Sequence, residues 1–327
     1  MDAKKTLQIR KNIDSKGVEY SWNEDVEASF NKIYYYTEPA MRLWKFAKEE
    51  TGSISDCFIL YAIANLGVCD YETIQMFLGN LKSRHSGLHI MDPYDKSLKL
   101  RLAALKKQGY VFAFSYRTAA GEKSLYTIDK DGNEFVSMKL SKKLPYNSWM
   151  QAKQPPEMLG WAATTYVAVK SSFDSNFVNY LDGVFRNKFI GTYYLPAEIK
   201  YAVKNIPIYV AYMEAYLILN KKTMTEDDFN EVCVRKINTI RNYLMNRSTK
   251  GPAYCVVVVQ DNEDLLKMAE LIVKTEILLE RLDHIYFTGA GAMQEVDSSH
   301  LSDGFLKMVY EDDKFDFAAE RPDFMAN

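Results

Sequence analysis

The sequence predicts two folded units of different class: an α+β unit over residues 51–140 and a three-layer-like α/β unit with a mixed sheet over residues 159–327. Three observations carry this. Helical periodicity at 54–63, 71–78 and 95–107 gives way to two short strand-like runs at 110–116 and 124–128. A proline-bearing polar stretch at 141–158 has the composition of a linker. Beyond it helical and extended signals alternate, the pattern of an α/β domain. Three helices followed by a β-hairpin is the element order of an N-terminal winged helix-turn-helix, a DNA-binding arrangement.

Each element has a local cause. Residues 1–50 read as a helical leader that packs on the next domain, with Val26, Phe30, Ile33 and Tyr34 at helical spacing and Pro39 opening a second helix. The first helix of the α+β unit carries Ile54, Phe58, Ile59, Ala62 and Ile63, and Gly67 closes it. Asp70 caps a short helix from Tyr71 to Leu78, ended by Gly79-Asn80. Leu81 to Pro93 is long for the turn of such a motif, and if it is itself helical the reading face moves toward Lys82 and Arg84.

The helix from Asp95 carries Leu98, Leu102 and Leu105 as an apolar stripe and is terminated by Gly109. Lys96, Ser97, Lys99, Ala103, Lys106 and Lys107 lie opposite or beside that stripe, with Arg101 at its edge. A short basic face with hydrogen-bonding groups near its N-terminal end is what a recognition helix presents to base edges; an ordinary solvated lysine face looks the same. The hairpin adds a second signal. Its turn, Arg117 to Lys123 with Gly121, is a basic tip of the kind that touches phosphate. Winged helices also serve as protein-interaction modules, so both readings stand.

In the second unit Ile190–Leu195 and Ile206–Leu219 read as strands, the latter interrupted at Pro207. Thr225 caps a helix with Phe229, Val232, Cys233, Ile237, Ile240 and Leu244 inward. Five consecutive apolar residues, Cys255 to Val259, imply a strand buried on both faces. A long amphipathic helix at 262–282 and a strand at Ile285-Tyr286-Phe287 complete a βαβ unit.

Composition bounds the function. Of 327 residues 47% are apolar and 13% aromatic, enough for packed cores. No apolar run approaches the ~20 residues of a membrane span, and Met1 to Arg10 lacks a signal-peptide core, so a cytoplasmic protein without membrane contact is expected. The net charge of −2 hides an asymmetry: residues 51–143 carry 13 basic and 9 acidic side chains, and residues 251–327 carry 6 and 16, an acidic tail. Such a tail solvates the chain, competes with nucleic acid or docks a partner.

Candidate chemistry is sparse. Cys57, Cys69, Cys233 and Cys255 show no paired spacing and read as buried free thiols. His85 and His89 stand four apart but around Gly87, so no metal site is expected. Gly289-Ala290-Gly291 lacks the third glycine of a dinucleotide fingerprint, since Gln294 stands there, and no cofactor is expected. A magnesium-dependent nuclease of restriction-enzyme-like fold would use an acid and a Glu-x-Lys; Asp182 with Glu198 and Lys200 has that order. No residues are assigned as catalytic.

Leu195-Pro196-Ala197-Glu198, Tyr216-Leu217-Ile218-Leu219-Asn220-Lys221-Lys222, the helix with Lys236 and Tyr243, the strand Tyr254 to Val259 and Ile285-Tyr286-Phe287-Thr288 together resemble the replication-relaxation family. Those are winged-helix proteins of bacterial plasmids, phages and integrative elements. The resemblance implies a role in replication, mobilisation or transcriptional control and a nuclease-like second domain. The family pattern has acids where Ala197 and Asn220 stand here, which implies a degenerate, non-catalytic scaffold. The expectation is therefore a non-enzymatic protein of a mobile element that binds double-stranded DNA. Lys96, Ser97, Lys99 and Arg101 would face the major groove with Lys106 beside them, and Arg117 and Lys123 would hold phosphate. Other replication or transfer proteins are expected partners through the α/β domain or the acidic tail, and a dimer fits this role. A metal-dependent nuclease and a non-enzymatic assembly factor are the alternatives.

Overall fold

The computed structural model describes residues 54–84, 90–118, 121–140, 144, 146, 155–173, 188–190, 193–195, 197–201, 206–212, 225–246, 252–259, 265, 268, 271–272, 282, 284–289, 293, 296–297, 304–311 and 314–319. The expected leader at 1–50, the pair His85 and His89, Asp182 and most of the expected linker lie outside these residues. The described chain forms two compact units, dividing between Thr165 and Tyr166. Both are mixtures of helix and sheet.

The first unit is built around helix α1 (Ile54–Leu66). Ile59, Leu60, Ala62 and Ile63 are fully buried and every residue from Asp56 to Leu66 is buried. A helix apolar on all sides is a core element, and its polar residues are therefore paired. The Asn65 side-chain amide donates to the Tyr61 carbonyl at 2.7 Å. Gly67 ends α1 at φ 75°, its N–H bonded to Ile63 O at 2.9 Å.

Strand β1 (Cys69–Asp70), not legible as two residues in the sequence, pairs antiparallel with Leu125 and Tyr126. Asp70 then caps α2 (Tyr71–Arg84), its Oδ1 accepting from Thr73 N at 2.8 Å and from the Thr73 hydroxyl at 2.6 Å. Helix α2 passes through Gly79-Asn80, where the sequence suggested an end. The cause is the apolar period: Ile74, Phe77, Leu78 and Leu81 are buried at helical spacing, so stopping at Leu78 would leave Leu81 without a core. Beside Gly79 lies the Tyr94 side chain, whose hydroxyl would stand 3.0 Å from a Cβ there.

Helix α3 (Lys96–Lys107) is followed by β2 (Val111–Thr118), β3 (Gly121–Ile128) and α4 (Lys130–Lys139). The three strands form one sheet in the order β1-β3-β2. The hairpin is longer than its sequence signal. Arg117 pairs opposite Glu122, and Thr118 opposite Gly121, so two residues suffice for the connection and the polar residues expected in a turn belong to the strands. On α5 (Pro155–Ser171), Trp161 Nε1 and the Thr165 hydroxyl both donate to Leu66 O, at 3.2 and 3.4 Å, satisfying an end carbonyl of α1. Pro155 and Pro156, read as part of a linker, occupy the first turn of α5, where a missing N–H costs nothing.

The second unit contains a hairpin of β4 (Lys188–Ile190) and β5 (Tyr193–Leu195) and a six-stranded mixed sheet. The large sheet comprises β6 (Ala197–Tyr201), β7 (Ile206–Tyr212), β8 (Tyr254–Val259), β9 (Ile285–Gly289), β10 (Leu306–Glu311) and β11 (Lys314–Ala319), in the order β11-β10-β9-β8-β7-β6. Strands β7, β8 and β9 are parallel and the flanking pairs antiparallel. Pro207 lies within β7 but ahead of its parallel pairing with β8, which begins at Ile208, so no bond to β8 is lost. All six residues of β8 are buried, which requires cover on both faces. One cover is α6 (Glu226–Asn246), whose Cys233, Ile237, Ile240 and Leu244 join Cys255, Val257 and Val259. Leu265, Met268, Leu271 and Ile272 are helical and enter the same core. Part of the acidic tail is sheet: β10 and β11 form a hairpin that includes Glu311 and Asp316 and whose Leu306, Met308 and Phe317 are buried. At the end of α5, the buried Lys170 ammonium donates to Met293 O and sits 6.0 Å from the Tyr166 ring centre.

Candidate nucleic-acid interface

Helix α3 is started and stopped by specific contacts. Asp95 caps it, accepting from Ser97 N at 2.7 Å, and this bond with one from the Ser97 hydroxyl holds the Asp95 carboxyl below the usual carboxylate range. At the other end Gly109 takes φ 78°, and Gln108 N and Tyr110 N bond to Ala104 O and Leu105 O at 2.9 and 3.0 Å. Leu98, Leu102 and Leu105 are 1% exposed or less, so the apolar stripe faces the core as its spacing requires.

The opposite face is open. Lys96, Lys99, Leu100, Ala103, Ala104, Lys106 and Lys107 are all exposed. Lys96, Leu100, Ala103 and Lys107 follow one another at i, i+4, i+7 and i+11, a single stripe about 16 Å long at 1.5 Å per residue. Residues 96–107 contain no acid, and the carboxylate of Asp95 is turned onto Ser97. The helix thus offers a positive ridge flanked by Lys99 and Lys106.

Two residues expected on that ridge do other work. Arg101 reaches α1 instead: its Nε donates to Asp56 Oδ1 at 2.8 Å and its Nη2 to Asp56 Oδ2, a bidentate pair with a carboxylate whose side chain is only 3% exposed. A buried carboxylate in an apolar helix needs such a partner, and Arg101 is the cation beside the apolar stripe. Ser97 is half-buried and engaged in the cap. The one signal in the sequence for the first pairing is an acid, Asp56, within the most apolar helix among the described residues.

Lys82 and Arg84 are exposed in the last turn of α2, where Arg84 Nε bonds to Asn80 Oδ1 at 2.8 Å. On the hairpin Lys123 is half-exposed and pairs opposite Tyr116. Arg117 lies on β2, one pair back from the Thr118–Gly121 end; its side chain is outside the described residues.

Other chemistry is not assembled among the described residues. They contain no group of three or more His, Cys, Asp or Glu placed to hold a metal. Glu198 and Lys200 fall on β6, an edge strand, paired opposite Tyr209 and Pro207. All four cysteines are free and buried. Burial pushes the Cys69 thiol well above its ordinary range and the Cys255 thiol to about 12 despite the opposing charge of Lys236, so neither is a thiolate nucleophile at neutral pH. No helix among the described residues is long and apolar enough to cross a membrane. Comparison with family models, with curated proteins and with solved structures finds no match to this chain.

Proposed function

We propose that the first unit is a winged helix-turn-helix that binds double-stranded DNA, with α3 as recognition helix and the β2–β3 hairpin as wing. The observation that carries this reading is the acid-free outward face of α3, with Lys96, Lys99, Lys106 and Lys107 exposed opposite a fully buried leucine stripe. The order helix, short strand, helix, helix, hairpin supports it, as does the sheet order β1-β3-β2. Lysines of the ridge and Lys123 of the hairpin hold phosphate, with Lys82 and Arg84 at the end of α2 as further contacts. Arg101 holds α3 onto α1 and orients the ridge. The second unit acts as a scaffold or partner-binding domain. Its resemblance to the replication-relaxation family favours a cytoplasmic role in replication, mobilisation or transcriptional control on a bacterial mobile element.

The test is salt-dependent binding to duplex DNA by the full chain and by a Lys96→Ala/Lys99→Ala variant. Each phosphate contact contributes roughly 0.9 to the slope of log K against log salt, so the double variant is expected to lose about 2 from that slope as well as affinity. Unchanged affinity and slope would remove α3 from the interface. An assembly factor that contacts protein through the same unit would show no salt-dependent DNA affinity in either form.

A further inference from the structure

Leu100 is 71% exposed at the middle of the α3 ridge, on the side away from the buried stripe. Beside it in the stripe stands Ala103, also exposed, and the two are bracketed by Lys96 and Lys107 with Lys99 and Lys106 alongside. This apolar centre is too small for a protein interface, which requires roughly 800 Å² per partner and a core depleted in lysine. Its charged surround fits a polyanion. Resting on the DNA-binding reading, we infer that Leu100 and Ala103 read thymine methyl groups in the major groove, so that the central base pairs of the target are A·T.

The chemistry follows from what the ridge lacks. Adenine is recognised through bidentate bonds from Asn or Gln and guanine from Arg or Lys, whereas thymine alone presents a methyl group in the major groove. Between Lys96 and Lys107 there is no Asn or Gln, and the one arginine, Arg101, has its guanidinium on Asp56. At the two middle positions of the outward stripe, Leu100 and Ala103, apolar contact is therefore the direct readout available. The lysines at its ends are free to reach phosphate or a guanine edge. Seated in a groove ~12 Å wide, such a ridge sets Leu100 and Ala103 against base edges with lysines on either side of them.

Replacing thymine by uracil removes the methyl and nothing else. The full chain is titrated against a short duplex of alternating A and T and against its A and U counterpart, at one salt concentration. Wild type is expected to bind the thymine duplex tighter by about fourfold for each methyl contacted, the equivalent of ~0.8 kcal/mol per buried carbon. Leu100→Ala is expected to shrink that ratio toward one while keeping the melting temperature and the salt slope. Equal wild-type affinity for the two duplexes, with salt dependence intact, overturns the methyl reading and leaves DNA binding standing. A ratio unaltered in Leu100→Ala overturns the assignment to this residue. Failure to bind either duplex at any salt removes both this inference and the proposed function.

Discussion

Replacing Gly132 by alanine is expected to destabilise the first unit by about 2–4 kcal/mol, the sum of overpacking and a lost backbone hydrogen bond. In an ordinary helix the same change stabilises, because glycine costs up to about 1 kcal/mol relative to alanine. The sign reverses here because a Cβ on Gly132 would stand 2.2 Å from Tyr110 O and 3.0 Å from its carbonyl carbon. These are backbone atoms and cannot swing aside. Tyr110 O also accepts from Asp129 N at 3.0 Å, and the Tyr110 ring packs on Phe135 at 5.9 Å, so the start of α4 and the start of β2 must separate. Tyr110 directly follows the Gly109 end of α3, and the shift therefore reaches the basic ridge. Urea unfolding of the two proteins checks the energy. A loss below ~0.5 kcal/mol would mean that α4 is not held at this distance, since such losses are usual only for surface substitutions away from packed features.

Asp56→Ala is expected to cost about 2–3 kcal/mol, less than the ~3–5 kcal/mol typical of breaking a fully buried pair. The discount follows from Arg101, whose side chain is 31% exposed and reaches water when its partner is gone, whereas that of Asp56 is 3% exposed. Substituting both, Asp56→Leu with Arg101→Met, is expected to recover most of the loss, because neither charge is then left unpaired. The same double variant separates the two roles of Arg101. As a positioning residue it leaves the salt slope of DNA binding unchanged; as a phosphate contact its removal lowers the slope by about 1.

What the sequence disclosed of this fold was what depends on local period and capping. The Leu98, Leu102 and Leu105 stripe, the Gly109 stop, the Asp70 cap and the doubly buried β8 are each decided within a few residues, and each stands in the structure. Features decided by contacts distant in sequence were not legible. Strand β1 exists because Cys69 and Asp70 meet Tyr126 and Leu125. Gly79 reads as a helix stop, but Leu81 still has a core to enter. Arg101 reads as part of a basic face until Asp56, 45 residues earlier, claims it. In the acidic C-terminal segment, charge masked the alternation of Leu306 and Met308 that makes β10 a strand. At the candidate interface the lysines were visible as a pattern, while the exposure of Leu100 among them required the packed helix.

DNA recognition by the first unit rests on a cationic ridge, and a cationic ridge has a direct signature in solution. The most direct measurement is the salt dependence of duplex DNA affinity for the full chain. With four lysines on α3 and one or two cations on the hairpin engaging phosphate, log K is expected to fall against log salt with a slope of about −4.5 to −5.5. A slope near zero, or no measurable affinity at low salt, would contradict the account.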